Sequence, residues 1–177
     1  MPLLQSFPAL IGRAPRVLIL GSMPGAASLS VGQYYAHPQN RFWPLMGTLI
    51  GAAPALAYAQ RCQRLVDADI ALWDVLARCE REGSLDSAIR DDTAQANDFG
   101  LLFARHPTIR TVLFNGAKAE ASFHRLVVPA LAVDGATAAM DFRRLPSTSP
   151  ANASQSTGFK LAAWREALQA ARIRTRD

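Results

Sequence analysis

Four short strand-like runs, three of them cut off by a glycine, an asparagine or a proline, limit the folds open to this chain. Arg16–Gly21 is an apolar run between Pro15 and the loop that follows it. Asp69–Trp73 is a second. Ile109–Phe114 is a third and ends at Asn115-Gly116. Met140–Leu145, of mixed pattern, is a fourth and ends at Pro146. Helical spacing fills the intervals. Over Asn40–Ile50, Phe42, Leu45, Met46 and Leu49 share one face and Pro44 fits the first turn. Residues 55–67 and 117–127 read as helices, and 84–90 as a short one. Asp92 or Thr93 is placed to cap a helix reaching His106, and Ser156 or Thr157 to open a last one carrying Leu161, Trp164, Leu168 and Ala171. Strands alternating with helices predict an α/β fold: a single three-layer αβα domain over residues 1–177 with a mainly parallel four-stranded sheet. Residues 22–38 lack periodicity and read as one long loop.

Composition removes several other classes. Of 177 residues, 50% are hydrophobic and 19% charged, which excludes disorder, collagen and coiled coil. No apolar run approaches the ~18 residues of a membrane span, and the N-terminus lacks a leader pattern. A cytoplasmic, reduced, monomeric protein with no membrane contact is the expectation. The two cysteines, Cys62 and Cys79, are too few for a four-cysteine site, and His37, His106 and His124 show no ligand spacing, so no metal is expected. Charge is unevenly spread. Residues 1–64 hold five arginines and no acid; 65–100 hold nine acids against three arginines; 101–177 hold eleven basic residues against five acids. A fold that joins the two outer segments makes a positive face suited to phosphates. An arginine bias inherited from genome composition explains the same counts.

Ligands of such sheets bind beyond the carboxyl ends of the strands. The polar loops after the first, third and fourth runs all leave from that edge. The first begins Gly21-Ser22-Met23-Pro24-Gly25 and continues to Tyr34-Tyr35-Ala36-His37-Pro38-Gln39-Asn40-Arg41-Phe42-Trp43. It is neither a dinucleotide fingerprint nor a Walker loop, so no nucleotide cofactor is implied. The fourth run leads into Pro146-Ser147-Thr148-Ser149-Pro150-Ala151-Asn152.

The long first segment resembles the first motif of the uracil-DNA glycosylase superfamily, and most of all its hypoxanthine (deoxyinosine) branch, with the mismatch-specific uracil enzymes next. Leu72-Trp73-Asp74-Val75-Leu76, Gly83-Ser84-Leu85-Asp86, Phe114-Asn115-Gly116-Ala117-Lys118 and Leu145-Pro146-Ser147-Thr148-Ser149-Pro150-Ala151-Asn152 extend the likeness, in order, over nearly the whole chain. The resemblance implies a DNA repair glycosylase, acting in base excision repair without a cofactor. It would hydrolyse the N-glycosidic bond of a deaminated base, flipped out of double- or single-stranded DNA. Two departures bear on the substrate. Met23 stands where many members carry Asp or Asn, and Leu145 where many carry His or Asn. A thioether cannot serve as a base, so hypoxanthine is favoured over uracil.

By the same resemblance, Asn40 carries catalysis by aiming water; its other reading is a cap of the next helix. Tyr35 stacks on the base. Gly21, Ser22, Met23 and Pro24 line the base pocket. Asn115 reads the base edge with a donor and an acceptor, or is only a turn residue before Gly116. Ser28, Arg41, Lys118, Ser147, Thr148 and Ser149 are the candidate DNA-backbone contacts. The second loop lacks a bulky apolar wedge. Asp74 reads as a catalytic understudy or a helix N-cap. The rivals are uracil excision and a DNA-binding module without chemistry.

Overall fold

The structure is a computed structural model and describes residues 2–131, 135 and 137–177. In chain order its elements are β1 (Leu3–Gln5), β2 (Val17–Gly21), α1 (Ala26–Val31), α2 (Phe42–Ile50), α3 (Tyr58–Asp67), β3 (Ile70–Asp74), β4 (Leu76–Glu80), β5 (Gln95–Ala96), α4 (Phe99–Arg105), β6 (Thr111–Asn115), α5 (Ala117–Leu126), α6 (Val128–Leu131), β7 (Asp141–Leu145) and α7 (Thr157–Ala170). The four runs of the sequence become β2, β3, β6 and β7, a parallel sheet ordered β3-β2-β6-β7.

Helices cover both faces, which is why the central strands read as unbroken apolar runs. Val17, Ile19, Ile70, Leu72, Leu113 and Leu145 pack on one side with Phe42, Met46, Leu49, Leu65, Trp164 and Leu168. Leu18, Leu20, Ala71, Val112 and Phe114 pack on the other with Phe99, Phe103, Phe123 and Leu131. The three-layer arrangement follows from this two-sided burial. The chain runs from β2 outward to β3, then returns across β2 to β6, so the strand order reverses between β2 and β6. That reversal opens a crevice at the carboxyl edge.

Several local expectations change. Residues 22–38 contain α1, one and a half turns ended by left-handed Gly32. Over 84–90 only a 3-10 turn, Asp86–Ala88, forms. The helix expected from Asp92 or Thr93 starts at Phe99 instead, with the Asp98 carboxylate accepting from the Leu101 N–H at 2.9 Å. The preceding residues are taken up by β5, which pairs with β4. A second, antiparallel sheet, β1-β4-β5, is new. Its outer strands are three and two residues long, too short to show a period. The C-terminal tail packs back on the fold: Ile173 is buried and the Arg176 N–H donates to the Leu49 carbonyl at 2.8 Å. Cys62 and Cys79 are free thiols. Among the described residues no helix is long and apolar enough to cross a membrane.

Candidate active site

The last residues of the four parallel strands form one transverse row. Register pairs Gly21 with Asp74 and Asn115 with Leu145, and Leu20 with Phe114, which sets Gly21 beside Asn115. Side chains alternate along a strand, so this row continues the face that buries Ile19, Leu72 and Leu113 two residues earlier. The apolar face therefore turns polar at its rim. A cavity of about 480 Å³ opens over Asp74, Gly21 and Asn115 of this row, walled by Gly21–Ser28, Tyr35, Asn40, Ser84–Asp86 and Ser147–Asn152, while Leu145 packs in the core. The volume falls within the ~300–1,000 Å³ of small-molecule sites.

Gly21 is required by space. A Cβ there would lie 2.5 Å from Asp74 Oδ1 and 3.0 Å from the Tyr35 hydroxyl. Met23 is buried in the core and Ser22 donates its hydroxyl to Asp86 Oδ1 at 2.5 Å. Tyr35 has a left-handed backbone, φ 53°, and its ring stacks on Phe42 at 4.2 Å and 25°. Its hydroxyl is buried without a hydrogen-bond partner, and burial together with Asp74 keeps it protonated. Tyr34 is a packing residue, its hydroxyl donating to the Pro8 carbonyl at 2.8 Å.

Asn40 lines the cavity and also caps α2: its Oδ1 accepts from the Phe42 N–H at 2.9 Å. The two readings of this residue coincide. The cap fixes the direction of the amide while one lone pair of Oδ1 and both Nδ2 hydrogens stay available. Asn115 lines the cavity but spends its amide on the second loop. Its Nδ2 donates to Thr148 Oγ1 and its Oδ1 accepts from the Thr148 N–H, both at 2.9 Å. The Thr148 carbonyl in turn accepts from the Arg41 N–H at 2.9 Å, beside Asn40. Asn115 thus ties β6 to both loops.

Three residues expected to contact DNA have their side-chain polar groups engaged within the protein. Thr148 has no exposed surface and serves the anchor just described. Ser28 is buried, its Oγ accepting from the Ala36 N–H at 3.0 Å, so it stitches the first loop to itself. The Lys118 ammonium lies outside the cavity wall and holds Asp91 at 2.7 Å. Ser147 and Ser149 remain on the wall, and Arg41 is exposed beyond it.

Two buried charges were unexpected. Arg81 is 1% exposed; its guanidinium donates to the Pro24 carbonyl at 2.6 Å and the Gly83 carbonyl at 2.9 Å. Nothing in the sequence distinguishes it from a surface arginine among acids. Asp74 is 3% exposed and Oδ2 has no partner. It is no helix cap, because the chain passes directly into β4. Burial first, then the charge of Asp86, push its carboxyl up to about 7, against the pull of Arg81. Burial also raises Asp86, opposed by the Ser22 hydroxyl, Arg81 and Lys118.

Because the folded-state value of Asp74 exceeds the unfolded one, its neutral form favours folding at low pH. That advantage is lost as pH rises from about 4 towards 7. Asp74→Asn is therefore expected to stabilise the protein at pH 8, by an amount on the order of 2–4 kcal/mol, with the gain vanishing near pH 4. Thermal denaturation across that range checks it; a pH-independent difference would refute the assignment.

A parallel αβα sheet with such a cavity at its reversal point agrees with what the sequence comparison shows. The chain belongs to the uracil DNA glycosylase superfamily, whose profile matches residues 8–172. Within it, the chain is 42% identical over 115 residues to the hypoxanthine DNA glycosylase of Methanosarcina barkeri, covering 64% of this chain and 72% of that one. A hypoxanthine DNA glycosylase of Methanosarcina acetivorans is 41% identical over 116 residues, covering 65% and 72%. A solution NMR structure from Methanosarcina acetivorans, described as a candidate uracil DNA glycosylase, superposes with a TM-score of 0.77 at 34% identity, covering 97% of this chain and 99% of that one.

Proposed function

We propose that this protein releases hypoxanthine from deoxyinosine in DNA by hydrolysis, without cutting the strand. The observation that carries the reading is the cavity wall itself. It offers a fixed amide, Asn40, and at Met23 a thioether where many members of the superfamily carry Asp or Asn, while Leu145, where many carry His or Asn, is buried in the core. The 41–42% identity to the two hypoxanthine enzymes supports the same substrate.

In this reading the flipped base enters over the row of strand ends. Tyr35, backed by Phe42, supplies the stacking face, worth ~1–3 kcal/mol per base. Asp74 in its neutral form presents one O–H donor and one C=O acceptor, matching the ring carbonyl and adjacent N–H of hypoxanthine. This role suits Asp74 better than Asn115, whose amide is engaged by Thr148. Asn40 accepts a hydrogen bond from water and aims it at C1′ of the sugar. The C1′–N9 bond breaks, the water oxygen bonds to C1′, and the water proton ends on the departing base.

Neither lysine is placed for a Schiff base. The chain has only Lys118 and Lys160. Lys118 is held by Asp91, and Lys160 Nζ donates to the Asn152 carbonyl at 2.6 Å. The product is therefore an abasic site with an intact strand, and borohydride trapping of a covalent complex is expected to fail. The deciding experiment is base release from labelled duplexes carrying one deoxyinosine, deoxyuridine, deoxyxanthosine or thymine mismatch, with alkali applied afterwards. Release mainly from deoxyinosine supports the proposal. Release mainly from deoxyuridine overturns the substrate, and no release with salt-sensitive binding overturns the chemistry.

A further inference from the structure

Taking a nucleotide out of a duplex leaves a gap, and proteins that open base stacks commonly fill it with an inserted apolar side chain. The second loop has no side chain suited to this; Ser147–Asn152 offers no apolar side chain larger than a proline. The opposite wall does. The exposed large hydrophobic residues among the described residues are Leu3, Val31, Leu85, Leu101 and Phe159. Of these only Leu85 lines the cavity, and it is 57% exposed.

Its setting is rigid. Ser84 Oγ accepts from the Ala26 N–H at 2.9 Å, and Asp86 accepts from the Ser22 hydroxyl at 2.5 Å. The residues on either side of Leu85 are thus fastened to the first loop. Arg81 fastens the segment a third time by joining the Gly83 and Pro24 carbonyls. Leu85 itself has an extended backbone, φ −78° and ψ 135°. Its side chain belongs to neither core cluster. An apolar group held out at the mouth of a base-sized cavity, on a strap with little freedom left to lose, is pre-organised for insertion.

We propose that Leu85 is the wedge that enters the DNA stack and holds the vacated position while the base occupies the cavity. This rests on the glycosylase reading for its substrate, but it makes a separate physical statement. The fold needs nothing from Leu85: exposed substitutions away from core contacts change stability by less than ~0.5 kcal/mol.

The test compares wild type, Leu85→Ala, Leu85→Met and, as a control on another exposed apolar group, Phe159→Ala. Duplexes carry 2-aminopurine next to deoxyinosine. Wild type is expected to raise 2-aminopurine fluorescence on binding, because the neighbouring stack opens. Leu85→Ala should lose most of this rise, Leu85→Met should restore it, and Phe159→Ala should leave it unchanged. Base release from duplex should fall at least about tenfold in Leu85→Ala, while release from single-stranded deoxyinosine changes less than about threefold, since a single strand has no partner to displace. Equal fluorescence in wild type and Leu85→Ala, or equal losses on both substrates, overturns the wedge. No release from either substrate by wild type would instead overturn the glycosylase reading, and the fluorescence arm still decides the wedge.

Discussion

Asn40→Ala is expected to lower single-turnover base release from deoxyinosine DNA by about a hundredfold or more, the scale on which misplaced reacting groups cost rate. DNA affinity should hardly change, because Asn40 contributes to the step rather than to docking. The same substitution removes the acceptor for the Phe42 N–H, so stability should also fall, by ~1 kcal/mol for a lost cap. Asn40→Ser separates the two effects. Serine is a good capping residue and should restore the melting temperature, yet it has no amide to aim water and should leave activity low. Full activity in Asn40→Ser would show that the cap alone matters and would end the water-positioning role.

The largest effect on stability should come from Arg81→Met. Removing one partner of a buried charge network costs about 3–5 kcal/mol, because the remaining charges lose compensation. For a chain of this length that is a fall of roughly 6–20 °C in melting temperature, at ~2–4 °C per kcal/mol. Arg81 lowers the proton affinity of both Asp74 and Asp86. Without it both carboxyls rise further, so the variant's deficit should grow as pH climbs above about 4 and shrink in acid. The lost bonds to the Pro24 and Gly83 carbonyls persist at every pH, so some deficit should remain. Adding Asp74→Asn should recover part of the loss at pH 8. A deficit independent of pH would mean that Arg81 acts only as a clip for the loops.

The sheet and its carboxyl-edge loops were legible because burial on both faces leaves an uninterrupted apolar signature at Val17–Leu20 and Val112–Phe114. Asn40, Tyr35 and the GSMPG segment were legible from their motif. Three parts were not, each for a physical reason. The small antiparallel sheet depends on pairings such as Leu4 with Cys79, distant in sequence and too short to be periodic. Arg81 and Asp74 are buried by tertiary contacts that reverse their usual preference for solvent. The inward bonds of Thr148 and Ser28 were hidden because a hydroxyl on a polar loop looks the same whether it faces out or bonds inward. Only the fold reveals that Asn115 and Ala36 claim them.

The transverse row Asp74–Gly21–Asn115–Leu145 also governs how such a scaffold can diversify. Ile19, Leu72 and Leu113, two residues earlier on the first three strands, are core, whereas Gly21, Asp74 and Asn115 line the cavity. Substitutions confined to Asp74 can therefore alter which base edge is welcomed while the packed layers beneath stay intact. Gly21 has no such latitude, since any side chain collides with its neighbours, and Asn115 is committed to the second loop. The scaffold thus divides into one position free to drift in preference and two that hold the site open, a division of evolutionary labour written into the register of one sheet edge.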